Sequence, residues 1–203
     1  MLSVALTGNA AAGKSTVARW FTAWGATLLD SDAIVRELQE PGTAVHAAIA
    51  AHFGPGVLDT EGGLRRDLLR QRVLASPADR AALEAMVHPA VRRVTAQRMA
   101  DARLRGDALV VTEIPLLFET GQEDTFDRVV MVDAPPEVRR ARLITERGLL
   151  PDAADRLMAT QQPAATTRAA CDFVIDNDAD RDALCQRAHA VWAALLREAG
   201  GTA

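Results

Sequence analysis

The sequence predicts an α/β fold, a five-stranded parallel sheet with helices on both faces. Three observations predict it. Short, mostly apolar runs recur at residues 2–6, 26–30, 107–113, 127–133 and 172–176, each of a length that suits a strand buried on both faces. Segments of helical character separate them, and strands alternating with helices build parallel sheets. Between the first strand and the first helix stands Gly8-Asn9-Ala10-Ala11-Ala12-Gly13-Lys14-Ser15-Thr16, the G-x-x-x-x-G-K-[ST] pattern of a phosphate-binding loop.

Each element has its own signal. The run from Ser15 to Trp24 places Val17, Trp20, Phe21 and Trp24 on one stripe, as an amphipathic helix requires, and Gly25 closes it. Residues 26–30 form the second strand. Residues 31–38 read as a helix that stops before Pro41-Gly42, and Thr43 is a good N-cap for a helix to about Phe53. Gly54-Pro55-Gly56 and Gly62-Gly63 bracket a loop. Residues 64–74 and 78–104 read as helices broken near Ser76-Pro77. After the third strand at 107–113 and the fourth at 127–133, Pro136 opens a helix at its first position, running to about Arg147. Gly148 to Pro151 is a break, a short helix reaches about Gln161, and the fifth strand comes at 172–176. Asp180 caps the last helix, which ends near Glu198, and residues 200–203 should fray.

The bulk properties narrow the class. A length of 203 residues, 49% of them hydrophobic, suits one soluble domain with a helical insert. The net charge of −4 carries no basic signature, so nucleic acid is not an expected partner, and no obligate protein partner is implied. Cys171 and Cys185 have no metal or redox spacing and read as buried free thiols. No apolar run approaches the length of a membrane span, and the first strand starts too early for a signal peptide, so a reduced cytoplasmic setting is expected.

The motif dictates the chemistry. Glycines let the backbone wrap phosphates, and the helix N-terminus turns N–H donors toward negative charge. Lys14 should reach the β- and γ-phosphates and the Ser15 hydroxyl should sit on Mg²⁺. Among 23 basic residues Lys14 is the sole lysine, which suits a place that needs a compact, flexible point charge where a planar guanidinium would not fit.

A first helix of about ten residues climbs roughly 15 Å and a five-residue strand returns roughly 16 Å. Asp30-Ser31-Asp32 should therefore come back to the height of the phosphates, where ligands bind in parallel sheets. Capping is the expected role of Asp30 or Ser31, and gripping or deprotonating a substrate hydroxyl that of Asp32. Glu113 ends the third strand, where an acid near Mg²⁺ or a substrate contact is equally consistent. Pro115-Leu116-Leu117-Phe118-Glu119 is either a substrate wall or ordinary core. Arg139, Arg140, Arg142 and Arg147 form either a solvated basic face or, at Arg142 and Arg147 beside Gly148, a closing lid over the transferring phosphoryl group. His46, His52, His88 and His189 show no ligand spacing.

With these residues in place, the chain resembles the dephospho-CoA kinases, and the likeness covers nearly its whole length. It rests on Leu6-Thr7-Gly8 into the loop, Asp30-Ser31-Asp32-Ala33 with Arg36, Glu40-Pro41-Gly42 and His52-Phe53-Gly54. Glu61-Gly62-Gly63-Leu64-Arg65-Arg66, His88-Pro89 and Pro115–Glu119 continue it, the last being the most specific. Arg142 to Arg147, Gln161, Arg168 and Asp172–Asn177 complete the order. Asn9 and Ala11 stand where the family usually has glycines. The resemblance implies a P-loop NTPase-type kinase domain over 1–203, with a core at about 1–56 and 107–203, a helical insert on the CoA side at about 57–106 and a lid at about 142–165.

It implies that ATP, with Mg²⁺, phosphorylates the ribose 3′-hydroxyl of dephospho-CoA. Asp32 would be the base, Lys14 and Arg147 would hold the moving phosphoryl, and Ser15 would hold the metal. Gly8 to Thr16, Arg142 and Asn177 would bind the nucleotide. Asp32, Arg36, His52, Arg66, His88, Leu116, Leu117 and Glu119 would face the acceptor. A kinase of another small acceptor, such as a nucleoside monophosphate, and a nucleotide-dependent regulatory switch are the alternatives.

Overall fold

Alternation along β1 (Leu2–Thr7) organises the molecule. Val4 and Leu6 point to one face of the sheet and Ala5 to the other, and all three are fully buried, as expected where successive side chains leave a central strand on opposite sides. The computed structural model describes residues 1–115 and 117–200. It shows a five-stranded parallel sheet in the order β2-β3-β1-β4-β5, with β2 at Thr27–Asp30, β3 at Leu109–Glu113, β4 at Arg128–Asp133 and β5 at Phe173–Asp176. Register pairs Leu6 with Glu113, Thr7 with Met131, and Asp133 with Asp176. The C-terminal ends of β1, β3, β4 and β5 thus finish within three residues of one another.

The chain divides into two compact units. The first holds Met1–Leu29 and the chain from Ala102 onward. On one sheet face, α1 (Lys14–Ala23) and α9 (Arg181–Glu198) bury Val17, Phe21, Leu184, Trp192 and Leu195 against Val4, Leu6, Val111, Val130 and Ile175. On the other, Ala5 and Val129 meet Ile114 and Leu117. Helices α6 (Pro136–Thr145), α7 (Pro151–Ala159) and α8 (Ala164–Arg168) lie between β4 and β5. A fully buried side chain such as Phe21 or Leu195 contributes about 1.5–3 kcal/mol.

The second unit is Asp30–Asp101. It contains α2 (Ser31–Leu38), α3 (Ala44–Phe53), α4 (Arg66–Ala75) and most of α5, which runs Pro77–Arg105 with Pro89 inside it. Its core joins Val45, Ile49 and Phe53 of α3 to Val57, Leu69, Val87 and Ala90, with Val35 and Leu38 of α2 packed on. The unit therefore opens at residue 30, ahead of the insert expected at about 57–106, because α2 and α3 share their apolar faces with α4 and α5.

Boundaries otherwise fall close to expectation, with two differences. Helix α6 stops at Thr145 rather than Arg147, where Glu146 and Arg147 both turn their N–H back onto the Arg142 carbonyl and Gly148 takes φ 66°. The short α8 behind Pro163 carries too few apolar residues to show a period. Cys171 and Cys185 are free, and half-buried rather than buried. The expected fraying at 201–203 lies outside the described residues. No described helix is long and apolar enough to cross a membrane.

Candidate functional site

The phosphate loop takes its shape from two crowded glycines. A β-carbon on Gly8 (φ 148°) would collide with the Val132 carbonyl oxygen of β4, and one on Gly13 (φ 104°) would collide with the Asn177 amide. Both positions need the positive φ that only glycine adopts freely. Lys14 then opens α1, whose first N–H groups lack intrahelical partners and face the loop.

Three side chains meet there. Lys14 Nζ donates to Glu113 Oε1 at 2.5 Å, and Ser15 Oγ donates to the same oxygen at 3.0 Å. The lysine and glutamate side chains are only 13% and 12% exposed, so the pair is well shielded from water. Glu113 is placed there because β3 lies beside β1 in register, with Glu113 opposite Leu6. Among the described residues, no group of three or more His, Cys, Asp or Glu side chains is arranged to hold a metal. The Ser15 hydroxyl and the Glu113 carboxylate supply two oxygen donors at one point. That set fits a hard cation that takes its remaining ligands from phosphate and water.

Residues 9–12 are each tied down from outside the loop. Asn9 Nδ2 donates to the Gln162 carbonyl at 3.3 Å and Ala10 N–H to Gln161 Oε1 at 3.1 Å. Arg142 Nη1 donates to the Ala11 carbonyl at 3.3 Å, and Asn177 Nδ2 to the Ala12 carbonyl at 2.7 Å. Arg142 Nη2 also donates to Asn177 Oδ1. Ala11 stands at φ 61°, the one described non-glycine residue with positive φ. A left-handed backbone costs a residue with a β-carbon roughly 1–2 kcal/mol, so the site holds this strain with its neighbours' hydrogen bonds. Ala11 thus carries a real backbone cost that a glycine there would not.

The strand ends beneath the loop are clamped as well. Arg168 donates to Asp133 of β4 at 2.9 Å and to Asp176 of β5 at 2.6 Å, and these bonds raise its pKa further above the usual guanidinium range. The Asn177 N–H donates to the Asp133 carbonyl. Of the arginines crowding α6, Arg140 pairs with Asp155 and is the solvated type. Arg139 is buried at 6% exposure. Burial pulls its pKa below the ordinary value, with the Asp133 charge opposing the shift. Arg147 is exposed beyond the end of α6.

The second unit carries most of the residues expected to face the acceptor. Asp30 is the N-cap of α2, accepting from the Ala33 N–H at 3.0 Å, and Arg36 approaches its carboxylate at 3.5 Å. Capping therefore belongs to Asp30, and Asp32 in the first turn is exposed with no partner among the described residues. Arg66 donates to Glu40 and to the Arg36 carbonyl. His52 and His88 are exposed.

The Pro115–Glu119 motif sits in the first unit. Leu116 lies outside the described residues. Leu117, one of the two leucines expected to line a substrate wall, has no exposed surface and packs with Ala5, Ile114 and Val129. Its side chain is core, because the segment leaving β3 must cover the second face of the sheet. Among the motif's described residues, Pro115 and Glu119 are exposed. Gln161 and Arg139 reach the loop or its supports; the sequence marked Gln161 only as one point of the family likeness and Arg139 only as one arginine of a crowded helix, with no role for either. An amide pair before Pro163 and one more arginine in an arginine-rich helix look ordinary.

The dephospho-CoA kinase family model matches residues 2–182. A dephospho-CoA kinase of Frankia casuarinae is 43% identical over 205 residues, covering 100% of this chain and 88% of its own length. A solved structure from Thermus thermophilus superposes with a TM-score of 0.83 at 34% identity, over 96% of this chain and 97% of its own. The fold of a Campylobacter jejuni dephospho-CoA kinase matches with a TM-score of 0.74 at 23% identity, covering 97% and 98%. A family match across nearly the whole chain, on a sheet whose loop is built for phosphate, leads to one conclusion: the chain belongs to the dephospho-CoA kinase family.

Proposed function

We infer that the protein transfers the γ-phosphoryl group of ATP to the ribose 3′-hydroxyl of dephospho-CoA, giving coenzyme A and ADP. The observation that carries this reading is the meeting of Lys14, Ser15 and Glu113 at the glycine-cradled loop in a chain of this family. In the reaction the 3′-oxygen forms a bond to the γ-phosphorus, the bond from that phosphorus to the β–γ bridging oxygen breaks, and ADP leaves. Asp32 orients the hydroxyl and takes its proton, and its exposed, unpaired carboxylate suits that task. Lys14 exchanges Glu113 for the β- and γ-phosphates. Arg147, exposed after α6, tracks the moving phosphoryl as the segment at about 142–165 closes.

Such transfer is largely positioning and electrostatic stabilisation. A Mg²⁺ ion held through Ser15 and Glu113 would supply charge neutralisation at the phosphates. Arg142 and Asn177 hold the loop and the nucleotide. Arg36, His52, Arg66, His88 and Glu119 are assigned to the acceptor, by family likeness and by their exposure. A cytoplasmic setting accords with this chemistry.

The test is direct. Purified protein with Mg-ATP and dephospho-CoA should yield coenzyme A by mass spectrometry, with nucleoside monophosphates left untouched. Asp32→Asn should lose about 10²–10⁴ in turnover while binding ATP normally. Failure to phosphorylate dephospho-CoA, with another acceptor consumed, would overturn the reading.

A further inference from the structure

The phosphate loop is held by more than its own glycines. Two of its four outside tethers come from one short stretch, Gln161 and Gln162, between α7 and α8. The Gln161 side chain is the more telling. A glutamine oxygen has two lone pairs, and here both are used: it accepts from the Ala10 N–H at 3.1 Å and from Arg139 Nη1 at 3.4 Å. Arg139 is a buried guanidinium whose Nε has no protein partner, and Asp133 Oδ1 is likewise unpartnered. Both residues line a cavity of about 170 Å³ beside Pro136, Arg168 and Asp176. The arginine polarises the amide it holds and strengthens it as an acceptor.

Next to Ala10 stands Ala11 at φ 61°. A residue with a β-carbon stays in that conformation only where its surroundings over-determine it. Gln161 anchors the Asn9–Ala10 peptide through the Ala10 N–H, and Arg142 anchors the Ala11–Ala12 peptide through the Ala11 carbonyl, so the strained residue is bracketed by two tethered peptide groups.

We propose that Gln161 is a positioning residue for nucleotide binding: braced by Arg139, it holds the loop crest in its strained form, so that the α7–α8 stretch and the phosphate loop adopt their binding geometry as one body. The inference rests on the loop being the ATP site, and goes beyond the reading above by assigning a role to a residue that touches neither phosphate nor acceptor.

The test uses the full chain and a fluorescent ATP analogue, with coenzyme A formation measured alongside. Gln161→Ala should weaken nucleotide binding about tenfold, the worth of one such hydrogen bond. Gln161→Asn, too short to reach Ala10, should do the same. KM for ATP should rise while KM for dephospho-CoA stays put, and melting without nucleotide should remain near the wild-type value. Ala11→Gly removes the strain that the tether opposes, so in that background Gln161→Ala should cost under about threefold, a non-additivity typical of coupled neighbours. Wild-type affinity in Gln161→Ala or Gln161→Asn overturns the proposal, and so does an undiminished loss in the Ala11→Gly background. Lack of ATP binding by the wild-type chain would instead sink the underlying reading.

Discussion

Glu113→Gln separates the two duties assigned to this carboxylate. Without nucleotide, Glu113 Oε1 accepts from both Lys14 and Ser15, and a charge-assisted bond to a shielded partner is worth about 1.5–3 kcal/mol. A glutamine oxygen keeps the contact at roughly half that strength, so the ligand-free variant should lose about 1.5 kcal/mol. In a chain of this size that corresponds to a fall in Tm of about 3–6 °C. On the proposed exchange, nucleotide phosphates replace Glu113 as the partner of Lys14, and the same free energy is then returned. In EDTA, metal-free ATP should therefore bind the variant about tenfold more tightly than the wild type, since 1.4 kcal/mol is a factor of ten. With Mg²⁺ present the advantage should vanish or reverse, because the amide is a poor metal ligand. Differential scanning fluorimetry and calorimetric titration, each with EDTA and with Mg²⁺, measure both arms. Unchanged Tm together with unchanged metal-free affinity would refute the exchange of partners at Lys14.

Asn177→Ala removes the donor to the Ala12 carbonyl from a residue only 5% exposed. A buried group left unsatisfied costs about 1–3 kcal/mol, so urea midpoints and ATP affinity should both fall, the latter about tenfold or more by calorimetry. Asp127 is held below its ordinary 3.8 by hydrogen bonds from the Ser3 backbone and hydroxyl. A carboxylate depressed in the folded state stabilises above its unfolded pKa, and that contribution drains away as pH falls through the folded value. Asp127→Asn should accordingly flatten the loss of urea stability below about pH 4. The Cys171 thiol is pushed up to about 11 by burial, with the Asp172 charge adding to it. Iodoacetamide at pH 8 should modify Cys171 slowly in the folded protein and rapidly in urea, as peptide mapping will show.

The strands were legible because each is a short apolar run bounded by polar residues, as burial on both faces requires of the central β1, β3 and β4. The loop was legible because its chemistry demands fixed residue types at fixed spacing. Glu113 could be placed near the phosphates from its position at a strand end, but its bond to Lys14 depends on β3 lying beside β1, and strand order is written in no local pattern. Leu117 shows the opposite limit: an apolar residue in a loop after a strand serves equally as a wall or as core, and only the packing of Ala5 and Val129 decides. Arg139 was hidden among α6 arginines because which face of a helix is buried depends on the distant segment that packs over it, here the turn at Gln161. The compact second unit begins at Asp30 because the apolar faces of α2 and α3 find partners as far along the chain as Leu69, Val87 and Ala90, beyond the reach of any periodicity.

The lone lysine has a consequence for handling the protein. Apart from the α-amino group of Met1, Lys14 Nζ is the only primary amine in the chain. Acylating reagents, amine-coupling resins and cellular acetylation therefore have one side chain to find, and it sits at the end of the glycine loop beside Glu113. Its carboxylate partner and its 13% exposure slow the attack, and bound nucleotide should slow it further. On the proposed role of Lys14, a preparation derivatised there should lose turnover in proportion to the fraction modified. Immobilisation through the chain termini should leave the loop untouched.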